Sequence, residues 1–181
     1  MKNIIEKLKK YASETIVAEA KAVSALPGIV DDRFAEAVSV LAEAKGRIVV
    51  SGVGKSAIIA RKMVATLIST GTGAVFLHSA DAVHGDMGMI APDDVVLFIS
   101  KSGNTEEIRR LFPFVKKMGN TVVSIVSGRN SFLATRSDYV IPVPVEHEAG
   151  PANLAPTTST TLHMVVCDAI AMALSRLREF A

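Results

Sequence analysis

Cysteine, clustered basic residues and long apolar runs are all scarce in this 181-residue sequence. The single cysteine, Cys167, excludes an internal disulfide, and its apolar flanks predict an inert thiol in a buried helix, which fits a reducing compartment. No segment reaches the roughly 18 apolar residues of a membrane span. The charged N-terminal residues are not typical of a signal peptide. We therefore expect a cytoplasmic protein without a membrane partner.

The charge balance argues against a nucleic-acid partner. Lys and Arg number 20 against 18 Asp and Glu, for a net charge of +2, and the basic residues are scattered rather than gathered on one segment. Hydrophobic residues make up 49 % and charged residues 21 %, a balance typical of a globular domain. No repeat or linker interrupts the chain, so we expect one domain over residues 1–181.

Apolar segments alternate with segments of helical periodicity from residue 46 onward. The expected strands are continuously apolar, which favours a parallel sheet covered on both faces. We predict an α/β fold: a three-layer α/β/α sandwich around a doubly wound, five-stranded parallel sheet of the flavodoxin-like kind. Extra N-terminal helices within 1–45 are expected to wrap the core or a neighbouring subunit, and 46–181 forms the α/β core and a closing helix. The expected strands are 47–50, 74–77, 94–99, 121–126 and 138–143.

Small residues follow the first expected strand, in Ser51-Gly52-Val53-Gly54-Lys55-Ser56. Glycines here allow backbone N–H groups to approach an anion at the start of the next helix. A Walker A loop would need glycine where Val49 stands, which argues against an NTPase. Gly52, Gly54 and Ala57 match a dinucleotide pattern, but the expected acidic partner is missing. A tight turn without any ligand is the structural alternative.

The loop after the third expected strand, residues 100–105, offers the hydroxyls of Ser100, Ser102 and Thr105 together with Gly103. Hydroxyls that converge with helix N-terminal amides favour a phosphate monoester. The alternative is an N-terminal capping box for the helix that follows. Glu107 lies in the first turn of that helix and is less easily explained by capping alone.

Other candidate chemical groups lie in two further segments. Glu148 precedes a run of hydroxyl residues that begins at Thr157, and it is a candidate base or a solvated loop acid. Residues 78–86 hold two His and two Asp without the spacing of a known zinc motif. His84 is therefore a candidate for proton transfer, and His78 for adventitious or inhibitory zinc. No cofactor is expected to be required. His163 is expected to serve helix packing.

Together these motifs resemble the SIS (sugar isomerase) domain family, and more narrowly its arabinose-5-phosphate isomerases. The resemblance covers about residues 46–175 and is carried by 52–56, 61–63, 69–72, 84–89, 102–108 and 154–161. It implies interconversion of ribulose 5-phosphate and arabinose 5-phosphate for Kdo and lipopolysaccharide biosynthesis, in a homotetramer built as a dimer of dimers. It also implies functional roles for Lys55, His84, Glu107 and Glu148, substrate contacts for Gly71 and Thr72, and a zinc contact for His78.

The sequence departs from the long family members in two ways. They continue into a pair of CBS domains, and they carry a catalytic histidine after the closing helix, in a Ser-His-Pro-Gly-Gly stretch absent here. His78, His84 and His147 are the candidates to replace that histidine. In place of CBS regulation we expect a feedback ligand such as CMP-Kdo. Two other functions stay open: a sugar-phosphate isomerase of the 6-phospho-3-hexuloisomerase type, and a non-catalytic phosphosugar-binding regulatory module.

Aldose–ketose isomerisation through a cis-enediol requires a base and an acid. Glu148 is the expected base, provided that burial raises its pKa toward neutrality. His84 or Glu107 would move the proton between the two oxygens, and Lys55 would stabilise the enediolate. The hydroxyls of Ser51, Ser56, Ser102, Thr105 and Thr157 would hold the phosphate.

Overall fold

The computed structural model describes residues 2–180, and the fold is the predicted one. Five strands within this range form one parallel sheet in the order β2-β1-β3-β4-β5. The strands are β1 (Ile48–Gly52), β2 (Ala74–His78), β3 (Val95–Ser100), β4 (Val122–Val126) and β5 (Tyr139–Pro142). The helices are α1 (Lys2–Ser24), α2 (Asp32–Ala42), α3 (Lys55–Ser69), α4 (Ser79–Ala82), α5 (Glu106–Lys117), α6 (Phe132–Arg136) and α7 (Thr158–Leu177). Short 3-10 helices span Leu26–Ile29, Asp86–Met89 and Pro151–Asn153.

Two apolar cores lie on the two faces of the sheet. Alternate side chains of a strand point to opposite faces, so Val50, Leu97 and Ile99 enter one core, while Val49, Val96 and Phe98 enter the other. The first core is closed by α2, α3 and α7, and the second by α5 and α6. This arrangement explains why the strands are continuously apolar, and it confirms the three-layer sandwich.

The closing helix α7 belongs to the first core. It is long and apolar enough to cross a membrane by length and composition alone. Its buried side chains, among them Leu162, Val166, Ile170 and Leu174, pack in the first core. Cys167 is fully buried on the same face, as expected, and burial raises the pKa of its thiol. The apolarity of α7 is therefore accounted for by packing against the sheet.

The two N-terminal helices differ in their surroundings. Helix α2 buries Phe34, Ala37, Val38 and Leu41 in the first core. Helix α1 contacts α7, where the Thr161 hydroxyl donates to Glu19 at 2.8 Å, but most of its surface is exposed. The exposed apolar side chains of α1 are Ile4, Ile5, Leu8, Tyr11, Ile16 and Val17. The prediction that these helices wrap the core therefore holds for α2.

The strand order places a topological switch point between β1 and β3. The chain leaves β1 toward β2 on one side, and β3 continues on the other side. Loops that leave adjacent strands in opposite directions open a crevice beyond their carboxyl ends, where ligands of such sheets bind. The two loops flanking this crevice are the two glycine- and serine-rich loops selected from the sequence.

Candidate active site

The loop after β1 brings backbone amides to the switch point. Gly54 is the N-cap of α3 with a φ of +58°, a backbone conformation that favours glycine. No side chain within residues 2–180 caps α3. Lys55 begins this helix and is exposed, while Ser56 is half-buried. An uncapped helix start with a lysine at its first position is well suited to an anion.

Ser51 is placed differently from the phosphate-binding role predicted for it. The side chain is fully buried, and its hydroxyl donates to the carbonyl of Leu77 at 2.6 Å and contacts the Ser79 hydroxyl at 2.8 Å. These bonds connect β1 to β2 and α4 and leave the hydroxyl turned away from the switch point. Gly52 is also buried, and a Cβ there would come within 3.1 to 3.2 Å of α3 and of β3. Both residues are buried under the loop after β1 and determine the path of its backbone.

The loop after β3 is folded by its own hydroxyls. The Ser100 hydroxyl accepts from the Gly103 N–H at 3.0 Å and contacts the Thr105 hydroxyl at 2.9 Å. The exposed Ser102 hydroxyl accepts from the Asn104 N–H at 3.1 Å. Gly103 has a φ of +66° and lies against Ser131. The predicted phosphate hydroxyls therefore bond within their own loop.

Helix α5 begins directly after this loop, and its first turn is open. The capping alternative is not realised, since no side chain within the described range caps α5. Glu107 lies half-buried in its first turn and makes no hydrogen bond or ion pair within residues 2–180. The start of α5 thus offers uncapped amides beside the switch point and a carboxylate in its first turn, which suits both phosphate binding and proton transfer.

Glu148 is the most strongly bound side chain of the site. Its carboxylate is completely buried. Oε1 accepts from Lys101 Nζ at 2.6 Å and from the Ser159 hydroxyl. Oε2 accepts from the backbone N–H groups of Thr157 at 2.9 Å and Ser159 at 3.0 Å. The carboxylate thereby occupies the N-terminus of α7, where the helix dipole favours negative charge.

These contacts overturn the expectation about the pKa of Glu148. Burial by itself raises this pKa, but the hydrogen bonds from Lys101, Ser159 and Thr157 outweigh burial and lower it to about 2. Glu148 is therefore ionised at neutral pH, as a base must be, but its basicity is low in this state. The alternative of a solvated loop acid is also excluded, because the side chain is buried.

Lys101 was not among the residues selected from the sequence. It lies between Ser100 and Ser102, and its ammonium group reaches across to a carboxylate 47 positions away. The one sequence signal that could have identified Lys101 is its position inside a phosphate-type loop. Nothing in the local sequence indicates that Glu148 is its partner. The contact makes Lys101 part of the site and connects the loop after β3 to the start of α7.

Thr157, the N-cap residue of α7, contacts Glu148, and His163 lies within the same helix. The Thr157 hydroxyl accepts from the Ala149 N–H at 2.9 Å and donates to Glu148 at 3.3 Å, so it organises the acid more than it faces a ligand. His163 is buried, and Nε2 lies 3.4 Å from the Ser127 hydroxyl. Burial lowers the pKa of His163 to about 4, against an opposing contribution from Glu148. His163 is therefore neutral and packed, as expected.

Two of the predicted substrate-contacting residues lie away from this cluster. Gly71 and Thr72 precede β2 and therefore lie at the amino edge of the sheet, opposite the loops. Thr72 is buried, and its hydroxyl has no hydrogen-bond partner in the described chain. His84 is exposed after α4. One protomer thus does not bring Gly71 and Thr72 to the switch point.

His78 borders a separate cavity of about 580 Å³ beside β2, together with Arg61, Asp81 and Asp86. Nδ1 of His78 lies 3.7 Å from Asp81 Oδ2. Among residues 2–180, no three His, Cys, Asp or Glu side chains converge as they would around a metal ion. A zinc ion on His78 would therefore take most of its ligands from outside this set.

Comparison with known proteins agrees with the geometry. The SIS domain profile matches residues 40–173. The arabinose 5-phosphate isomerase KdsD of Pseudomonas aeruginosa is 47 % identical over 93 % of this chain and 52 % of its own length. The arabinose 5-phosphate isomerase GutQ of Escherichia coli is 39 % identical over 97 % of this chain and 54 % of its own. This chain thus spans about half the length of these curated relatives.

A solved structure matches over a larger share of its own length. It is an E. coli CFT073 protein in complex with arabinose 5-phosphate, and it superposes with a TM-score of 0.88 at 44 % identity over 99 % of this chain and 94 % of that one. The profile match covers most of the chain, and the matched segment contains the switch-point loops and nearly all of α7. This chain belongs to the SIS domain family.

Proposed function

We propose that this chain is an aldose–ketose isomerase that interconverts D-arabinose 5-phosphate and D-ribulose 5-phosphate. The observation that carries the proposal is the position of Glu148. A buried, ionised carboxylate lies beside a phosphate-type loop, and Lys101 of that loop contacts it at 2.6 Å. Acid–base chemistry and anion binding therefore share one edge of the sheet. The named activity of the relatives, at 39 % to 47 % identity, supports this substrate pair.

The phosphate group of the substrate would bind at the starts of α3 and α5. Both helices lack a side-chain cap within the described chain, so their first-turn amides are available to an anion. Lys55 adds a positive charge at the first position of α3. Ser102 supplies an exposed hydroxyl at the edge of the loop, and Gly103 allows the loop backbone to come close to the phosphate. This arrangement favours a monoester over a bulky diphosphate.

The reaction would then proceed by proton transfer alone. Glu148 takes the proton from carbon 2 of the aldose, which leaves an enediolate. Glu107 or His84 moves a proton from the oxygen on carbon 2 to the oxygen on carbon 1, and Lys55 stabilises the negative charge. Glu148 then returns its proton to carbon 1, which yields the ketose. Every proton removed is returned, so the sequence of steps needs no redox partner.

The decisive experiment supplies purified protein with ribulose 5-phosphate in deuterated water. An isomerase forms arabinose 5-phosphate and introduces deuterium at carbon 2, because the proton that the base removes from carbon 1 exchanges with solvent before the base protonates carbon 2. Turnover of a hexulose 6-phosphate in place of the pentose would identify the 6-phospho-3-hexuloisomerase alternative. Binding of these sugar phosphates without product or deuterium uptake would identify a regulatory module and contradict the proposal.

We also propose that a second copy of the chain completes the site, within a homotetramer. Lys55, His84 and Ser102 are exposed in the protomer, and Gly71 and Thr72 lie at the opposite edge of the sheet, where they could serve only another copy's site. The exposed apolar residues of α1 offer a surface for association. Leu8→Glu combined with Ile16→Glu should lower the mass measured by light scattering, whereas Lys7→Glu should not. An unchanged mass in the double variant would contradict this role of α1.

Supply of arabinose 5-phosphate to Kdo and lipopolysaccharide synthesis in the cytoplasm is the corresponding cellular role. Feedback by CMP-Kdo at the same pocket would then control it. Inhibition of ribulose 5-phosphate turnover by CMP-Kdo, competitive with the substrate, is the expected result. Unchanged activity at saturating CMP-Kdo would contradict the feedback proposal without affecting the isomerase assignment.

A further inference from the structure

The Glu148 carboxylate has no free lone pair in this structure. Oε1 accepts from Lys101 and the Ser159 hydroxyl, and Oε2 accepts from the N–H groups of Thr157 and Ser159 and, at 3.3 Å, from the Thr157 hydroxyl. A carboxylate has about four acceptor positions, so these donors occupy them all. A proton on a substrate carbon therefore cannot be accepted until one donor leaves.

Lys101 is the donor that can leave. The amides of Thr157 and Ser159 belong to the N-cap and the first turn of α7, and Ser159 is buried, so these groups are held by the fold. The Lys101 side chain is 45 % exposed, and its ammonium group makes no other hydrogen bond within residues 2–180. A lysine ammonium group on a flexible four-carbon stem moves at low cost.

The position of Lys101 connects its release to the substrate. It lies in the loop that leads from β3 into α5, the helix to whose first amides the proposed function assigns the phosphate. A phosphate dianion there carries about twice the charge of a carboxylate, so it competes for the ammonium group. We propose that Lys101 is a positioning residue that occupies Glu148 in the empty site and releases it when the substrate phosphate binds. This inference rests on the proposed function.

Within residues 2–180, two titratable groups interact electrostatically with Glu148: Lys101 from the loop after β3, and His163 from α7. His163 is neutral near pH 7, so the departure of Lys101 removes the nearby positive charge. Burial then acts with less opposition and raises the pKa of Glu148, which strengthens it as a base. The Glu148 carboxylate is thus a weak base while Lys101 contacts it and becomes a stronger base when the substrate phosphate is bound.

The test follows the Glu148 carboxyl by NMR in protein labelled at its glutamate side chains, with Glu148→Gln to assign the signal. Inorganic phosphate at saturation should raise the titration midpoint of Glu148 by about one pH unit or more. Lys101→Met should give the raised midpoint without phosphate, and phosphate should then change it little. Lys101→Arg should restore the phosphate-dependent shift, and Lys117→Met, an exposed control on α5, should behave as wild type.

A midpoint that phosphate leaves unchanged in the wild type would overturn the inference, and so would a Lys101→Met midpoint equal to that of the wild type. The wild-type measurement needs no variant to fold, and phosphate needs no turnover. If the protein fails to isomerise pentose phosphates, the proposed function fails, while the NMR result still decides whether an anion displaces Lys101. If isomerisation is found, the acid limb of kcat/KM should move to higher pH in Lys101→Met.

Discussion

Two buried carboxylates lie at opposite edges of the sheet, and their surroundings differ in one respect. Asp94, at the amino edge, and Glu148, at the carboxyl edge, are both nearly inaccessible, and each pairs with a cation whose side chain is 45 % exposed. Burial raises both pKa values, and hydrogen bonds overcome it and lower them. The pKa values of the two carboxyls are therefore shifted in the same direction and by the same kinds of contact.

The difference lies in how the cation is held. Arg47 donates its backbone N–H to Asp94 at 2.7 Å and its guanidinium at 3.0 Å, and the same group also donates to the carbonyl of Met89. Asn120 joins this edge through the carbonyls of Ala91 and Asp94. The side chain of Lys101 makes a single hydrogen bond within the part of the chain that the structure describes. A carboxylate paired with a cation held by several bonds stabilises the fold. A carboxylate paired with a cation that can move away is able to act as a base.

The largest expected effect comes from removing the acid at the carboxyl edge. Glu148→Gln should lower kcat by about 10² to 10⁴, the usual contribution of a general base, with a smaller change in KM. Initial rates of arabinose 5-phosphate formation, measured over a range of ribulose 5-phosphate concentrations, give both constants. Glu146→Gln, an exposed neighbour, is the matched control and should remain active. Near-wild-type turnover in Glu148→Gln would remove the acid from catalysis.

The carboxyl edge should also be the first to respond to acid, because it contains His163. The folded-state pKa of about 4 lies below the ordinary value of 6.5, so the unfolded chain binds this proton first. The free energy of unfolding should therefore fall by roughly 3 kcal/mol as the pH drops from about 7 to about 4. Urea unfolding across this range measures it.

The control for that pH dependence is a pair of variants. His163→Gln should flatten the slope between about pH 6.5 and about pH 4. His147→Gln, on an exposed loop, should keep it. Below about pH 4.5 both variants should lose stability further, since Glu148 and Asp94 are protonated more easily in the unfolded chain. A slope retained in His163→Gln would assign the effect to another group.

Removing the Asp94 charge at the amino edge should lower the stability of the protein without changing its catalytic rate. Asp94→Asn loses the charged bonds to Arg47, and we expect the free energy of unfolding to fall by about 2 kcal/mol with kcat unchanged. Asp93→Asn, exposed beside it, should change neither quantity. A lower kcat in a fully folded Asp94→Asn protein would mean that the two edges are not independent.

The smallest expected effects come from one glycine at each edge. A Cβ on Gly46 would lie 2.6 Å from Asp94 Oδ1, and one on Gly103 would lie 2.0 Å from the Ser131 hydroxyl. Each alanine variant should lose about 1 to 2 kcal/mol of stability. Only Gly103→Ala should also raise KM, because it displaces the phosphate loop. Gly73→Ala, which has room for a Cβ, is the control.

Much of the fold was predictable from local pattern. Continuous apolar segments marked all five strands within a few residues of their bounds, because strands buried on both faces tolerate little else. Gly54 and Gly103 marked the switch-point loops, because both adopt positive φ beside a helix start. The short helix α4 and the 3-10 helix at Asp86–Met89 were not predicted, since neither spans enough residues to show a period.

The site was predictable only in outline. Ser51 was selected as a phosphate ligand because serine follows the strand, yet its hydroxyl bonds to Leu77 and Ser79. Glu148 was expected to have a raised pKa, and its bond partners lower it instead. The expected pKa of Glu148 was wrong, and the partners of the Ser51 hydroxyl were not predicted, because both depend on residues that only the folded chain brings within hydrogen-bond distance.

The sequence by itself determined the strands, the loops that follow them and hence the edge at which chemistry would lie, since these depend on short-range patterns of apolar residues and glycine. Only the tertiary structure decided that Lys101 meets Glu148, that Gly71 and Thr72 lie at the far edge, and that α1 keeps its apolar face exposed. Those outcomes depend on which distant segments the packed sheet brings within the few ångströms over which hydrogen bonds and close charges act.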